Sequence, residues 1–156
     1  MRVNWSGCME RFVKRYETID DAIRQRLVIE NDGRLYDLSN CLQISKQTQI
    51  PVLLDVFHHK LNNEAQIGTE YFELAAKTWE LNSDGIPMVD YSSPKPNGTP
   101  QQHSETIDLR NFSEFLKQTE PFDFDIMLEI KDKEKSAIQA IEYAMKDSRV
   151  QNLLVN

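Results

Sequence analysis

The stretch Pro51-Val52-Leu53-Leu54-Asp55-Val56-Phe57-His58-His59 decides the fold. A short apolar run that ends in a carboxylate is typical of a strand buried on both faces, as in a parallel sheet. Three further stretches have the same form: Arg26-Leu27-Val28-Ile29-Glu30, Ile86-Pro87-Met88-Val89-Asp90-Tyr91 and Phe124-Asp125-Ile126-Met127-Leu128-Glu129-Ile130. The sequence therefore predicts four parallel strands of one sheet.

Amphipathic segments with apolar residues at helical spacing separate these strands. They predict helices over residues 8–24, 37–47, 70–81, 108–119 and 133–145, with Asp108 and Asp132 as caps of the last two. The alternating order predicts an α/β fold of helices covering a parallel sheet. Four βα units are half of the eight that close a TIM-type (β/α) barrel. We expect one domain over residues 1–156, with two open sheet edges.

Composition limits the function classes. The chain has 156 residues and a net charge of −7, which argues against coating nucleic acid by bulk electrostatics. A nuclease stays open, because carboxylates that hold divalent cations make a chain acidic until the cations are counted. There is no apolar run of about 18 residues, so we expect no membrane partner. Cys8 and Cys41 form no disulfide framework, which predicts a cytoplasmic location.

Each predicted strand ends in a carboxylate, and these residues are Glu30, Asp55, Asp90 and Glu129. The carboxyl ends of the strands converge on the active site of a (β/α) barrel. Four carboxylates gathered there would repel one another and raise their pKa values, so a positive partner is needed. One such residue alone is explained as a cap or loop residue. Four at the same register favour a divalent-metal site.

Histidines accompany the carboxylates. His58 follows Asp55 by three residues, on what we predict to be a strand-end loop, and His103 lies in the long polar loop 92–105. Mixed Asp, Glu and His sets suit zinc or manganese, and multi-metal sites suit phosphoryl hydrolysis. We interpret His59 as a surface neighbour, and Asp32 and Asp37 as turn and cap residues.

The same segments resemble those of UV damage endonucleases. Residues 27–32 are similar to the family's L-x-L-E-N-D segment, and residues 51–59 to its P-V-x-x-D-x-x-H-H segment. Residues 86–93 look like its strand ending in Y-S-S, and residues 103–107 like its histidine element with a following Ile. Residues 125–134 resemble D-x-M-L-E-x-K-x-K-E. The resemblance runs from about residue 9 to about residue 145.

This resemblance implies the C-terminal half of a TIM-type barrel related to endonuclease IV, with up to three divalent metals. Manganese or zinc is implied, with magnesium as a further candidate. The implied activity is a DNA-repair endonuclease that nicks damaged double-stranded DNA 5′ to UV photoproducts. The implied metal ligands are Glu30, Asp55, His58, Asp90, His103 and Glu129, of which Glu30 and Glu129 are the catalytic candidates. The implied substrate contacts are Tyr91, Ser92, Lys131 and Lys133.

Two departures from the family pattern leave alternatives open. Many members have lysine where Met88 stands and histidine where Asp90 stands. The family's first four βα units lie upstream of this chain, so the expected partner is that N-terminal half-barrel or a second copy of this chain. A non-catalytic remnant and a metal-dependent sugar isomerase, whose strand ends also carry Glu, Asp and His, are the alternative functions.

Overall fold

The structure is a computed structural model that describes residues 5–62 and 69–153. Its strands are β1 (Ile29–Glu30), β2 (Val52–Asp55), β3 (Met88–Tyr91) and β4 (Asp125–Leu128). Its helices are α1 (Trp5–Tyr16), α2 (Asp21–Arg24), α3 (Leu38–Thr48), α4 (Val56–Leu61), α5 (Thr69–Ala76), α6 (Leu81–Asp84), α7 (Leu109–Gln118), α8 (Glu134–Ala144) and α9 (Ser148–Leu153). Over the described ranges, no helix is both long enough and apolar enough to cross a membrane.

The four strands form one parallel sheet in the order β1-β2-β3-β4. Neighbours in the chain are thus neighbours in the sheet, as in one half of a (β/α) barrel. The register pairs Glu30 with Leu53, Asp55 with Asp90, and Asp90 with Met127. The prediction of an α/β fold with four parallel strands is confirmed.

Side-chain alternation gives the sheet two different faces. One face carries Val52, Leu54, Val89 and Tyr91, which are buried among the helices in the main core. The other face, which we call the inner face, carries the strand-end carboxylates Glu30, Asp55 and Asp90, of which Asp55 and Asp90 are directly paired. Its apolar residues are less covered: Val28 is 39% exposed and Met127 is 49% exposed.

The predicted helix over residues 8–24 is wrong, because the chain forms two helices there. α1 ends at Tyr16, and Asp20 caps α2 by accepting a hydrogen bond from the backbone N–H of Ala22 at 2.9 Å. A capping aspartate competes with a continuous helix, because its carboxylate satisfies the backbone donors that a helix start leaves free. Ile19, in the turn between them, packs with Tyr16 in a second small core.

The predicted helix over residues 70–81 also breaks into two. Thr78 and Trp79 leave the helix to contact the start of β2 instead. The Thr78 hydroxyl accepts from the Val52 N–H at 2.8 Å, and the Trp79 indole N–H donates to the Val52 carbonyl at 2.9 Å. These bonds satisfy the backbone N–H and C=O groups of Val52 at the start of β2. Their contribution to stability outweighs that of one more turn of helix.

Two predicted helix caps are confirmed and one is wrong. Asp37 caps α3 in a capping box with Asn40, and Asp108 caps α7. Asp132 does not cap α8, because the residue directly before the helix is Lys133. Lys133 has a positive φ of 49°, and its side chain makes no capping hydrogen bond. The Oδ1 atom of Asp132 is instead buried without a hydrogen-bond partner among the described residues.

Arg149, in the first turn of α9, fastens the end of α7. Its guanidinium donates to the carbonyls of Leu116, Thr119 and Phe122 at 2.9, 3.3 and 2.8 Å. It also pairs with the Asp147 carboxylate at 2.7 Å and lies 5.4 Å from the centre of the Phe124 ring. One side chain therefore ties the last turn of α7 to the segment that follows it.

Candidate metal centre

Glu30 ends β1 at the edge of the inner face. Its side chain is 41% exposed and its carboxylate lies 3.5 Å from Nδ1 of His58. Loss of hydration raises the pKa of Glu30 to about 7, and the neighbouring charge of Asp55 adds to the shift. A carboxyl group that holds its proton near neutral pH needs a cation nearby to stay ionised.

Asp55 ends β2 and has two roles at once. It is 1% exposed. One carboxylate oxygen accepts from the His58 backbone N–H at 2.8 Å and so caps α4, while the other lies 3.0 Å from Nδ1 of His58. Burial raises its pKa, although the hydrogen bonds from His58 oppose that shift. His58 therefore lies in the first turn of a helix rather than on a loop, and the cap fixes its ring beside both carboxylates.

Asn31 holds Asp55 in place, a role that the sequence analysis missed. Its buried side-chain amide donates to the Asp55 carbonyl and accepts from the Asp55 N–H, both at 3.0 Å. This pair of bonds extends the contact between β1 and β2 beyond the end of β1. The sequence showed Asn31 only as part of a turn, and no local pattern marks an amide that bonds a residue 24 positions away.

Asp90 and Glu129 complete the centre from β3 and from the end of β4. Asp90 is 4% exposed, and its Oδ1 is buried without a hydrogen-bond partner among the described residues. Burial raises the pKa of Asp90 to about 6, and the charges of Glu30 and Glu129 add to the shift. Glu129 is exposed, and its backbone N–H continues the pairing with β3 by donating to the Tyr91 carbonyl at 3.0 Å.

These side chains form two sets of three potential ligand atoms, and within each set all three atoms lie within 4.8 Å of one another. One set is Glu30, Asp55 and His58, and the other is Asp55, Asp90 and Glu129. Asp55 belongs to both. Carboxylates with one imidazole suit Zn²⁺ or Mn²⁺, and the unpartnered Oδ1 of Asp90 is the kind of buried acceptor that a cation satisfies. The residues at this end of the sheet therefore fit a divalent-metal centre.

The other predicted site histidine, His103, lies beside the centre but in neither set of ligands. Its ring packs on Phe57, with centroids 4.2 Å apart, and lies 6.2 Å from the His58 ring. His59, interpreted above as a surface neighbour, is instead fully buried, and its ring lies 4.8 Å from that of Tyr71. The two adjacent histidines thus point in different directions from α4.

The four predicted substrate contacts have different surroundings. Tyr91 is fully buried on the helix-covered face, and its hydroxyl donates to Oδ1 of Asn111 at 2.8 Å. Ser92 is 4% exposed, and its hydroxyl has no hydrogen-bond partner among the described residues. Lys131 is exposed and pairs with Glu105 at 2.7 Å. Lys133 is exposed at the start of α8.

A sequence model of the family described as UV-endonuclease UvdE matches residues 4–154. The chain belongs to the UvdE family. The UV DNA damage endonuclease of Clostridium perfringens is 37% identical over 133 residues, covering 85% of this chain and 32% of that protein. The UV DNA damage endonuclease of Bacillus mycoides is 31% identical over 140 residues, covering 88% and 44%.

The crystal structure of SacUVDE has the same fold as this UvdE chain. It gives a TM-score of 0.83 at 35% identity, covering 91% of this chain and 47% of SacUVDE. The predicted resemblance and the predicted TIM-type barrel units are thereby confirmed. The chain spans between about a third and a half of the length of these relatives.

The raised carboxyl pKa values predict how stability depends on pH when no metal is bound. Folded Glu30 and Asp90 hold protons up to about pH 7 and 6, whereas their unfolded pKa values are about 4.5 and 3.8. Between these limits the folded state therefore binds more protons than the unfolded state. The free energy of unfolding is thus higher at low pH and falls as pH rises to about 7. In EDTA, we expect Glu30→Gln to raise the urea midpoint at pH 8 and to leave it unchanged at pH 4.

Glu142→Gln, on the exposed face of α8, is the matched control and should leave the midpoint unchanged at both pH values. An equal midpoint for Glu30→Gln and wild type at pH 8 would show that burial does not raise the pKa of Glu30.

Proposed function

We propose that residues 1–156 are the C-terminal half-barrel of a metal-dependent DNA-repair endonuclease that nicks the phosphodiester 5′ to UV photoproducts. One observation carries the proposal: two sets of potential ligands share the buried Asp55 at the carboxyl end of a UvdE-type sheet. Family membership favours this function over a sugar isomerase. Two free thiols, Cys8 and Cys41, and DNA as substrate favour the cytoplasm as the place of action.

Manganese or zinc, or else magnesium, is the proposed cofactor. Bound at these residues, such a cation would lower the pKa of a water molecule and neutralise charge on the phosphate. Asp55 and Asp90 are the buried anchors, and Asn31 keeps Asp55 in position. Glu30 and Glu129 are the exposed carboxylates, so they face the side from which a DNA strand must arrive. We assign the catalytic role to these two, with His58 and His103 as the nitrogen donors.

Ser92 is proposed to contact the substrate, because its hydroxyl is buried two residues after Asp90 without a partner among the described residues. Tyr91 is proposed to act only by positioning, since its ring lies in the core and its hydroxyl is bonded to Asn111.

Lys131 and Lys133 are proposed to bind DNA phosphates, since both follow Glu129 on the same exposed loop. Each neutralised phosphate releases counterions, so we expect Lys133→Ala to weaken binding to irradiated duplex and to lower the salt slope by about one. Fluorescence anisotropy at several salt concentrations measures both quantities. Lys117→Ala, at the far end of α7, is the matched control. Identical slopes for the two variants would remove Lys133 from the interface.

The proposed partner on the inner face is the N-terminal half-barrel or, for this chain alone, a second copy. Both edges of the described sheet, β1 and β4, are open, and the inner face exposes Val28 by 39% and Met127 by 49%. Open edges and uncovered apolar surface favour association, and two four-stranded halves can close one eight-stranded barrel.

Light scattering is therefore expected to give a particle of twice the chain mass of 18.2 kDa. Met127→Lys, on the inner face, should lower the measured mass towards that of a single chain. Leu81→Lys, at a leucine on α6 that is 69% exposed, is the control and should leave the mass unchanged. A monodisperse wild-type monomer would contradict self-association.

The function is tested on a labelled duplex with one cyclobutane pyrimidine dimer, incubated with the protein and Mn²⁺. A cut immediately 5′ to the lesion, with the undamaged duplex intact, is the expected result. No cut with Mn²⁺, Zn²⁺ or Mg²⁺ by a protein that binds the metal would identify the chain as a non-catalytic remnant when it acts alone.

A further inference from the structure

The loop after β1 is held rigidly by one side chain. The Asp32 carboxylate accepts hydrogen bonds from the backbone N–H groups of Arg34 and Leu35 at 2.6 Å each, and from that of Tyr36 at 3.2 Å. The Asp32 N–H donates to the Tyr36 carbonyl at 2.8 Å. Asn62 also donates to the Asp32 carbonyl at 2.9 Å, which ties the loop to the end of α4. The loop is thus preorganised before any ligand arrives.

This loop forms one wall of a concave site of about 370 Å³ beside the metal centre. Its lining is mainly apolar and includes Gly33, Leu35, Phe57, His58 and Leu61. At Gly33, a Cβ would lie 3.1 Å from Cδ1 of Leu61 and 3.3 Å from Cδ2 of His58, so the loop lies flat against α4. Small-molecule sites start at about 300 Å³, and this one is therefore of the size that a single nucleotide unit fills.

Three lining residues of this concave site have ionisable side chains, and two of them are already engaged. The Asp32 carboxylate is used by the loop backbone, and His58 lies against Glu30 and Asp55. Arg34 is exposed, and no ion pair of its guanidinium is found within residues 5–62 and 69–153. Among the described residues, the site therefore presents the Arg34 guanidinium as a cation without an ion-pair partner, next to an apolar lining.

We propose that this concave site binds one nucleotide of the DNA strand next to the cleaved phosphodiester, with its base between Leu35 and Leu61 and its phosphate at Arg34. The proposal rests on the proposed function and names a subsite for its substrate. A planar base has an apolar face that suits the side chains of Leu35, which is 49% exposed, and Leu61, and guanidinium groups bind phosphate through paired hydrogen bonds. His58 lines both this site and the metal centre, which places the bound nucleotide beside the carboxylates.

The test is a titration of the protein with thymidine 5′-monophosphate in EDTA, followed by amide NMR. Signals of Gly33, Arg34 and Leu35 should shift. Arg34→Gln should raise the Kd about tenfold, the effect of losing a hydrogen bond to a charged group. Thymidine, which has no phosphate, should bind wild type and Arg34→Gln equally weakly. Arg15 lies in the last turn of α1 and does not line the concave site. Arg15→Gln is therefore the control and should leave the Kd unchanged.

Several outcomes would overturn the proposal. These are no shift at these amides, equal Kd values for Arg34→Gln and wild type, or inorganic phosphate binding as tightly as the nucleotide, which would leave an anion site without a base site. Metal-free binding is measured separately from nicking. A chain that binds the nucleotide but fails to nick contradicts only the proposed function, and a chain that nicks without this binding contradicts only the subsite.

Discussion

Asp55→Asn is expected to remove divalent-metal binding from this protein, with a fall in affinity of at least about 100-fold. Loss of an outer partner of a metal ligand alone costs about 10- to 100-fold, and Asp55 is the residue common to both sets of ligands. Asparagine keeps a side-chain oxygen that can accept from the His58 N–H, so the cap of α4 is retained. Calorimetric titration with Mn²⁺ measures the affinity.

Asp125→Asn is the matched control for Asp55→Asn. Asp125 lies on β4 on the same face of the sheet, is exposed, and belongs to neither set of ligands. It should bind Mn²⁺ like wild type. In EDTA at pH 8, Asp55→Asn should also be more stable than wild type, because it removes a buried charge whose pKa is raised. Unchanged Mn²⁺ affinity in a folded Asp55→Asn protein would place the metal elsewhere.

Arg149→Ala is expected to lower the free energy of unfolding by about 2 to 4 kcal/mol, as for removal of one partner from a largely buried, hydrogen-bonded ion pair. The carbonyls of Leu116, Thr119 and Phe122 lose one donor each, and the Asp147 carboxylate, 11% exposed, loses its countercharge. The pKa of Asp147 is lowered chiefly by its bond to Arg149, so this loss leaves a charge without a partner. Urea unfolding at pH 7 measures the change.

Lys131→Ala is the control for a charge in an exposed pair. Its bond to Glu105 joins two exposed side chains, and water screens such pairs so that they contribute little to stability. Arg149→Lys separates charge from geometry, since an ammonium group cannot reach three carbonyls and a carboxylate together. If Arg149→Ala unfolds at the same urea concentration as Lys131→Ala, the guanidinium is not what fastens α7.

The four strands and their terminal carboxylates could be predicted from sequence because both signals are local. A run such as Val52-Leu53-Leu54 followed by Asp55 contains the strand and its end in adjacent residues. Parallel order then brings the ends of neighbouring strands to one rim without further information, and the register of Asp55 with Asp90 follows from it.

Residues whose partners are distant in sequence could not be predicted. Asn31 bonds to Asp55, Thr78 to Val52, and Arg149 to Leu116, over separations of 24, 26 and 33 positions. The direct passage from β2 into α4 was also missed. His58 and His59 looked like loop residues because the apolar run ends at Phe57, whereas Asp55 starts a helix as soon as the strand ends.

The uncovered inner face also makes this chain sensitive to oxidants. Met127, 49% exposed there, presents a thioether that peroxide converts to a sulfoxide, and Met88 is half-buried on the same face. A sulfoxide is polar, so an oxidised face loses the apolar surface that a partner half-barrel would cover. A chain left without its partner would thus lose the ability to pair over time, unless a sulfoxide reductase restores the methionine.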